Sequence, residues 1–191
     1  MKTTHLKIVM GSLFAVLLLF GCKNGNQKET TSADSETTEE TVKQGQAFIE
    51  DDGSTPNVLQ IAIGSPDHTT LVAAVQAANL ENALVNAGPL MVFAPTNAAF
   101  DALPEGTVEN LLKPENKDAL ANILKHHVTP GNYSKEFLKK FKKLGQANDQ
   151  NTTIEVKDGE VYVGGAKIVA SISAGNGIVH VVDAVILPPE N

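Results

Sequence analysis

Residues 91–100 read MVFAPTNAAF, and this stretch indicates how the centre of the chain folds. The apolar run around it begins at Leu90 and ends at Pro95, so it suits a short buried strand. Thr96 and Asn97 follow, and either side chain suits the N-cap of a helix over the sequence NAAFDAL. Polar groups that follow a strand also carry chemistry in many α/β enzymes, so the stretch predicts either a helix cap or part of a reactive site.

The chain on the N-terminal side of this strand has a helical pattern. Asp67 is the predicted N-cap, Asn79 is the predicted break between two short helices, and Gly88 with Pro89 is the predicted stop. The apolar side chains between these points recur at spacings close to one helical face, and they are Leu71, Val72, Val75, Leu80, Leu84 and Val85.

Two further helical segments follow on the C-terminal side. Pro114 divides residues 107–128, whose inward stripe contains Leu120, Ile123 and Leu124. Residues 134–144, SKEFLKKFKKL, predict an amphipathic helix with Phe137, Leu138, Phe141 and Leu144 on one face and Lys135, Lys139, Lys140, Lys142 and Lys143 elsewhere. Such a lysine run is typical of a solvated helix face, although it also suits contact with an anionic lipid or an acidic polysaccharide.

The last third of the chain changes to the period of a β-strand. Residues 152–171 alternate apolar and polar side chains, and Asp158 with Gly159 is a strong hairpin signal between two of the runs. Gly164 and Gly165 predict a second turn, and residues 175–189 predict a long final strand that ends at Pro188. Helices followed by a sheet of hairpins favour an α+β fold for one domain over residues 56–191.

Composition and charge argue against a nucleic-acid-binding protein and against an internal disulfide. The chain has 191 residues and a net charge of -7, all 15 basic residues are lysines, and the single cysteine allows no internal disulfide. A chain with this acidic balance is repelled by a phosphate backbone, and without arginine it lacks the planar side chain that reads phosphate and guanine. The sequence therefore predicts no binding to nucleic acid.

The N-terminus predicts a lipoprotein-type signal peptide over residues 1–21. Lys2 and Lys7 precede an apolar run from Ile8 to Phe20, which is too short to cross a bilayer core of about 30 Å. Residues 19–22, LFGC, resemble a bacterial lipobox, in which the cysteine is lipidated and becomes the mature N-terminus. An unpaired thiol in an exported chain needs an explanation, so lipidation of Cys22 is favoured over an ordinary signal peptide.

The residues after the predicted cleavage site indicate a tether and a location. Residues 22–55 are polar and acidic, and they lack the apolar side chains that would offset the entropy of ordering them. This segment is therefore a predicted disordered stalk between the membrane and the domain. Lys23 rather than an aspartate follows Cys22, which favours the outer membrane or the cell surface if the host is Gram-negative.

Three segments carry a family pattern in order along the chain. MVFAPTNAAF is the first, LKHHVTPG over residues 124–131 is the second, and NGIVHVVDAVILP over residues 176–188 is the third. Together they resemble the first box, the Tyr-His segment and the second box of the fasciclin domain family, with His126 in the place of the Tyr. The matching positions are Phe93, Ala94, Pro95, Thr96, Asn97, Phe100, His127, Asn176, Gly177, His180 and Asp183.

The resemblance implies a fold and a class of function. The fold would be a wedge with a β-sandwich-like core of about seven strands, flanked by short helices. The function would be adhesion, without enzymatic activity and without a cofactor, through contact with a cell-surface protein, a matrix or a polysaccharide. We expect the protein to be a monomer that is held to the membrane through Cys22.

The polar residues of these segments suit catalysis, metal binding or a structural role. His127 or His180 with Asp183 could form a general base and its orienting carboxylate, but the sequence contains no nucleophile motif. On a regular strand His180 and Asp183 would point to opposite faces, and the rings of His126 and His127 would diverge. Because metal-ligand spacing is also missing, the expected role of these side chains is to satisfy buried polar groups, with no metal site.

Three functions remain in order of preference. The first is a lipid-anchored envelope protein whose domain mediates adhesion or binds surface partners. The second is an envelope module that binds a small ligand or lipid in an apolar pocket, and the third is an envelope hydrolase.

Overall fold

The computed structural model describes residues 55–86 and 88–189. The predicted signal peptide over residues 1–21, Cys22 and the predicted tether up to residue 54 lie outside the described residues. Within the described ranges, no helix combines the length and the apolar character that a bilayer span requires.

Short helices dominate the first half of the described chain and strands dominate the second half. The helices are α1 (Val58–Ile63), α2 (Thr69–Ala77), α3 (Glu81–Asn86), α4 (Asn97–Asp101), α5 (Thr107–Leu111), α6 (Lys117–His126) and α7 (Lys135–Leu138). Single 3₁₀ turns at Pro66–His68 and Pro114–Asn116 precede α2 and α6. The strands are β1 (Leu90–Pro95), β2 (Val128–Pro130), β3 (Lys143–Gly145), β4 (Asn151–Lys157), β5 (Glu160–Val163), β6 (Ala166–Ala174) and β7 (Gly177–Val182).

The seven strands form one sheet in the order β2-β1-β7-β6-β5-β4-β3. β1 and β7 are parallel, and the other neighbours are antiparallel. The two edge strands approach each other, because the N–H of Ala147 donates to the carbonyl of Val128 at 2.7 Å and the side chains of Thr129 and Gln146 are hydrogen-bonded at 2.8 Å. The sheet is therefore nearly closed, and the predicted α+β fold with about seven strands and flanking short helices is confirmed.

Strand β1 is buried along its whole length and separates two apolar clusters. The first, which we call the helix cluster, contains Val58, Leu59, Leu71, Ala74, Val75, Ala78, Leu90, Val92, Ala94, Leu120, Leu124 and Val179. The second, the strand cluster, contains Met91, Phe93, Leu138, Leu144, Ile154, Val161, Val163, Ala166, Ile168, Ile178, Val182 and Ile186. Successive side chains of a strand point to opposite faces, so alternate residues of β1 enter alternate clusters.

Several local predictions are confirmed. The helical segment before β1 breaks at Asn79, whose φ of 55° lies in the left-handed region between α2 and α3. Asp158 and Gly159 also have positive φ values, 52° and 81°, and they join β4 to β5. This backbone geometry is that of the tight hairpin turn that an Asp-Gly pair favours.

The predicted helix over residues 134–144 is wrong in its second half. Helix α7 ends at Leu138, and Leu144 lies in β3, where it pairs with Thr152 of β4. The apolar spacing of this segment fits a helix, but a non-local strand pairing determines its conformation. Leu138 and Leu144 still enter the same cluster, although they reach it from two different elements.

The predicted final strand is too long. β7 ends at Val182 rather than at Pro188, and Val182 is opposite Pro95, the last residue of β1. Because β1 stops there, the chain beyond Val182 loses its parallel neighbour. It leaves the sheet, and Ile186 then enters the strand cluster from outside any strand.

Candidate functional site

The first polar pair after β1 caps two different helices. The Oγ1 atom of Thr96 accepts a hydrogen bond from the N–H of Ala99 at 3.3 Å, so Thr96 is the N-cap of α4. The Oδ1 atom of Asn97 accepts from the N–H of Thr70 at 3.0 Å, in the first turn of α2. The cap expected from Asp67 is therefore wrong, because Asp67 lies in the preceding 3₁₀ turn and a residue from α4 supplies the cap of α2.

Asn176 holds the turn between β6 and β7 to the N-terminal helices. Its Oδ1 atom accepts from the N–H of Val58 at 2.9 Å, and its Nδ2 atom donates to the carbonyl of Leu84 at 2.7 Å. Gly177 follows at the start of β7, where a Cβ atom would overlap the carbonyl of Leu90 on the neighbouring strand. These two residues therefore set the approach of α1, α3 and β1 to the start of β7.

His127 joins α6 to the segment after β7. Its Nδ1 atom lies 2.9 Å from the carbonyl of Ile123, and its Nε2 atom accepts from the N–H of Ile186 at 2.9 Å. Nδ1 therefore carries the proton, and burial lowers the pKa of this imidazole to about 4. A buried neutral ring with both nitrogens occupied satisfies two backbone groups and leaves no free position for a substrate or a metal.

The expected extended backbone at His126 and His127 is not observed. His126 is the last residue of α6, and His127 is its C-cap. The two rings nevertheless have separate partners, since the Nδ1 atom of His126 lies 3.1 Å from the Oδ1 atom of Asn148. No group of three metal-ligating side chains is found in residues 55–86 and 88–189.

His180 forms the arrangement that comes nearest to a catalytic pair. Its Nε2 atom lies 2.9 Å from the carbonyl of Tyr133 and must donate to it, so its Nδ1 atom accepts from the hydroxyl of Ser171 at 2.7 Å. Ser171 is exposed, and the ring of His180 is fully buried and stacked on Phe93 with centroids 5.8 Å apart. Nucleophile, base and orienting acceptor are thus present in outline.

The surroundings of His180 oppose general-base catalysis. Taking a proton from Ser171 would create a buried imidazolium, and burial already lowers the pKa of His180. The nearby ammonium of Lys135 lowers the pKa of His180 further. In a catalytic triad the charged group beside the imidazole is instead a carboxylate, which stabilises the imidazolium. The geometry favours a structural hydrogen bond between β6 and β7.

Asp183 is not paired with a histidine. It lies just beyond β7 and is exposed, and its Oδ1 atom accepts from the N–H of Lys167 at 2.8 Å. The expectation that Asp183 and a neighbouring histidine satisfy buried groups together is therefore wrong, because the strand ends before Asp183. The remaining matching positions are packing residues that are buried or partly buried, and they are Phe93, Ala94, Pro95 and Phe100.

An apolar cavity of about 210 Å³ lies beside the helix cluster. Residues of α1, α2, α3 and α6 line it together with residues of β1 and β7, and nearly all of them are apolar. Ala83, Lys125 and Ala147 are the exposed lining residues, so they mark its mouth. Lys125 is the one charged side chain of the lining, and it has no hydrogen-bond or ion-pair partner in the part of the chain that the structure describes.

A second candidate surface combines aromatic rings and lysines, and we call it the aromatic–lysine face. The rings of Tyr133, Phe137 and Phe141 lie 5.4 to 5.6 Å apart, and the Nζ atom of Lys140 lies 4.9 Å from the centroid of Phe137. Phe137 is 41% exposed, which is high for a phenylalanine in a three-ring cluster. Lys140, Lys142 and Lys143 flank Phe141 in the sequence and are exposed, and the name of the face includes them.

Sequence reasoning missed Ser171, Lys125 and most of the cavity lining. Ser171 is opposite His180 in the register of β6 and β7, which depends on a bulge between Ile168 and Ala170. An irregular register cannot be read from alternation alone. The cavity had no sequence signal at all, because its lining residues have the same apolar character as a filled core.

Comparisons with known proteins agree with the three signature segments. A family model described as "Fasciclin domain" matches residues 66–188. The chain is 46% identical over 158 residues to "Protein sll1483" of Synechocystis, which covers 82% of this chain and 86% of that protein. It is 33% identical over 137 residues to "Cell surface glycolipoprotein MPB83" of Mycobacterium bovis, covering 69% of this chain and 60% of that protein. A solved FAS1 domain pair from the insect cell adhesion molecule Fasciclin I aligns with 60% of this chain and 40% of that chain, with 18% identity and a TM-score of 0.42.

Proposed function

The chain belongs to the fasciclin domain family, and from that premise we propose that it is a lipid-anchored envelope protein that mediates adhesion by binding an acidic polysaccharide. The observation that carries the proposal is the aromatic–lysine face. The polar signature side chains bond mainly to backbone groups of other segments, so they hold the fold together. Recognition is therefore assigned to a surface with exposed lysines that have no ion-pair partner within residues 55–86 and 88–189.

The chemistry of this face suits a charged sugar polymer. The exposed ring of Phe137 offers an apolar face, held by Tyr133 stacked on it at 20° and by Phe141 packed edge-on, and sugar rings carry C–H bonds on one face that can pack against such a ring. Five of the ten lysines that follow residue 55 lie between residues 135 and 143. Of these, Lys135 pairs with Glu160 at 2.6 Å. Lys139 pairs with Glu136, which leaves the lysines of the aromatic–lysine face for carboxylate or sulfate groups.

The anchor and the location are part of the same proposal. Cys22 and the 33 residues between it and Pro56 would hold the domain away from the membrane. A relative that bears the name of a cell surface glycolipoprotein supports this arrangement. Replacing Cys22 with alanine should leave the precursor unprocessed by the lipoprotein route and release the protein from the membrane fraction. Unchanged processing and unchanged membrane association would contradict the anchor.

The binding proposal is tested by calorimetric titration of the purified protein with a uronic acid polymer and with uncharged dextran. We expect binding to the acidic polymer that weakens steeply with salt, and no binding to dextran. The variant Phe137→Ala, Lys140→Gln should bind at least tenfold more weakly. A matched control is Tyr162→Ala, Lys157→Gln, which removes another ring and lysine that lie 5.4 Å apart, and it should bind like the wild type.

Three results would contradict the polysaccharide proposal. The first is equal loss of affinity in both double variants, and the second is the absence of binding to any acidic polymer. The third is salt-dependent binding to anionic phospholipid vesicles with none to the polymers, which would assign the face to a membrane instead.

A further inference from the structure

We propose that the cavity beside the helix cluster binds the alkyl tail of a medium-chain fatty acid, with the carboxylate at the ammonium of Lys125. The inference goes beyond adhesion and does not depend on it. It rests on the lining of the cavity, its volume and the position of one lysine.

The lining selects an apolar occupant. Water in a cavity needs two to four polar partners, and here the side chains are those of alanine, valine, leucine and phenylalanine, apart from Lys125 and His127. His127 offers nothing, because Ile123 and Ile186 occupy both of its nitrogens. A hydrocarbon group can fill this space without leaving a polar group unsatisfied.

The volume limits the length of the tail. A water molecule has a share of about 30 Å³ of the liquid, so 210 Å³ accommodates about seven atoms of comparable size. A cavity of about 150 Å³ with a similar lining is known to hold benzene. One alkyl chain with about seven buried carbons therefore fits, and the paired chains of a phospholipid do not.

Lys125 defines the head group. It lies in the last turn of α6 and lines the cavity, while its side chain is exposed to solvent. An ammonium at the mouth of an apolar cavity can pair with a carboxylate while its own methylene stem lies along the tail. The occupant is therefore an amphiphile with one negative charge. With about seven buried carbons and about one to three more beyond the mouth, its chain is about eight to ten carbons long.

The experiment is a titration of the delipidated full-length mature protein with decanoate and with 1-decanol, below their aggregation concentrations. We expect decanoate to bind at least tenfold more tightly than decanol. Lys125→Met should reduce this preference to less than twofold while decanol binding is retained. Lys113→Met replaces an exposed lysine that does not line the cavity, and it should behave like the wild type.

A second variant tests the cavity itself. Ala62 lines the cavity from α1, and Ala62→Leu should abolish binding of both ligands while circular dichroism and the unfolding midpoint show a folded protein. The proposal is overturned if the wild type binds neither ligand at concentrations up to its solubility or aggregation limit, or binds both equally. It is also overturned if a folded Ala62→Leu protein keeps its affinity. None of these results depends on polysaccharide binding, so the two proposals fail separately.

Discussion

The two apolar clusters share strands β1 and β7, but they are packed differently. In the strand cluster seven of the twelve residues have no exposed surface, and in the helix cluster every residue retains some. The strand cluster is surrounded by the nearly closed sheet. The helix cluster is covered by α1, α2, α3 and α6, which are six, nine, six and ten residues long, and it borders a cavity of about 210 Å³.

The difference in packing follows from the elements that enclose each cluster. Backbone hydrogen bonds fix the spacing of neighbouring strands, so side chains inside the sheet are held in close contact. Short helices rest on the sheet mainly through side chains, and their position can leave space. If the cavity were empty, its cost would be about 5 kcal/mol at roughly 24 cal/mol per Å³. The strand cluster therefore stabilises the fold, whereas the helix cluster leaves open space at a cost in stability.

The largest expected contrast comes from identical truncations in the two clusters. Leu138 of α7 is fully buried in the strand cluster, and Leu138→Ala should lower the free energy of unfolding by about 4 to 5 kcal/mol. Leu59 of α1 lines the cavity, so it already lacks neighbours on one side, and Leu59→Ala should cost about 2 to 3 kcal/mol. Urea unfolding of both variants measures the contrast, and equal losses would contradict it.

A smaller effect is expected at His127, which connects the cavity wall to Ile186 of the strand cluster. Its pKa is about 4 in the folded protein and about 6.5 when unfolded, so the unfolded chain takes up the proton first. The free energy of unfolding should therefore be highest above pH about 6.5 and should fall by about 3 kcal/mol as the pH drops to about 4. Urea unfolding across this range gives the curve.

The control for this titration is His127→Phe, which keeps a ring of similar shape but cannot bind a proton. The variant should be less stable at neutral pH, because the N–H of Ile186 loses its acceptor. Its stability should fall less steeply between pH about 6.5 and about 4 than that of the wild type. Parallel curves for the two proteins would show that His127 does not carry this pH dependence.

The smallest expected effect comes from substitutions that enlarge a buried side chain rather than truncate it. Ala166→Leu adds atoms at a position of the strand cluster that is 2% exposed, and should cost about 1 to 3 kcal/mol. Ala62→Leu adds the same atoms beside the cavity and should change the free energy of unfolding by less than about 1 kcal/mol, or increase it. If both substitutions destabilise equally, the cavity is not available for filling.

Local signals explain which parts of the fold were predictable. Asp158-Gly159 and Asn79 fix backbone conformations within one or two residues, so the hairpin and the helix break could be predicted from neighbours alone. Residues 134–144 carry a helical apolar spacing, but β4 captures Lys143–Gly145 as a strand. The end of β7 likewise depends on where β1 ends, 87 positions earlier at Pro95. Pairing between distant segments determines these features, and single-segment patterns do not contain it.

The candidate sites divide in the same way into features that the sequence predicted and features that depend on packing between distant segments. The three signature segments predicted the polar network. Asn97, His127 and Asn176 have hydrogen-bond partners that join separate elements, and Thr96 caps the helix that follows it. The cavity could not be predicted, because a void is a property of how helices rest on a sheet. The aromatic–lysine face was visible as a lysine run, but its three-ring cluster depends on the turn that follows Leu138.

The position of β7 has a consequence for the order of events during synthesis. β7 follows every other strand along the chain, yet it lies in the sheet between β1 and β6 and forms six residue pairs with β1. A nascent chain therefore has no continuous sheet until this strand has been made, and the contacts that complete it are distant in sequence, which slows folding. Until β7 is made, β1 with β2 and β6 with β5, β4 and β3 are separate pieces of sheet, so the last strand completes both apolar clusters at once.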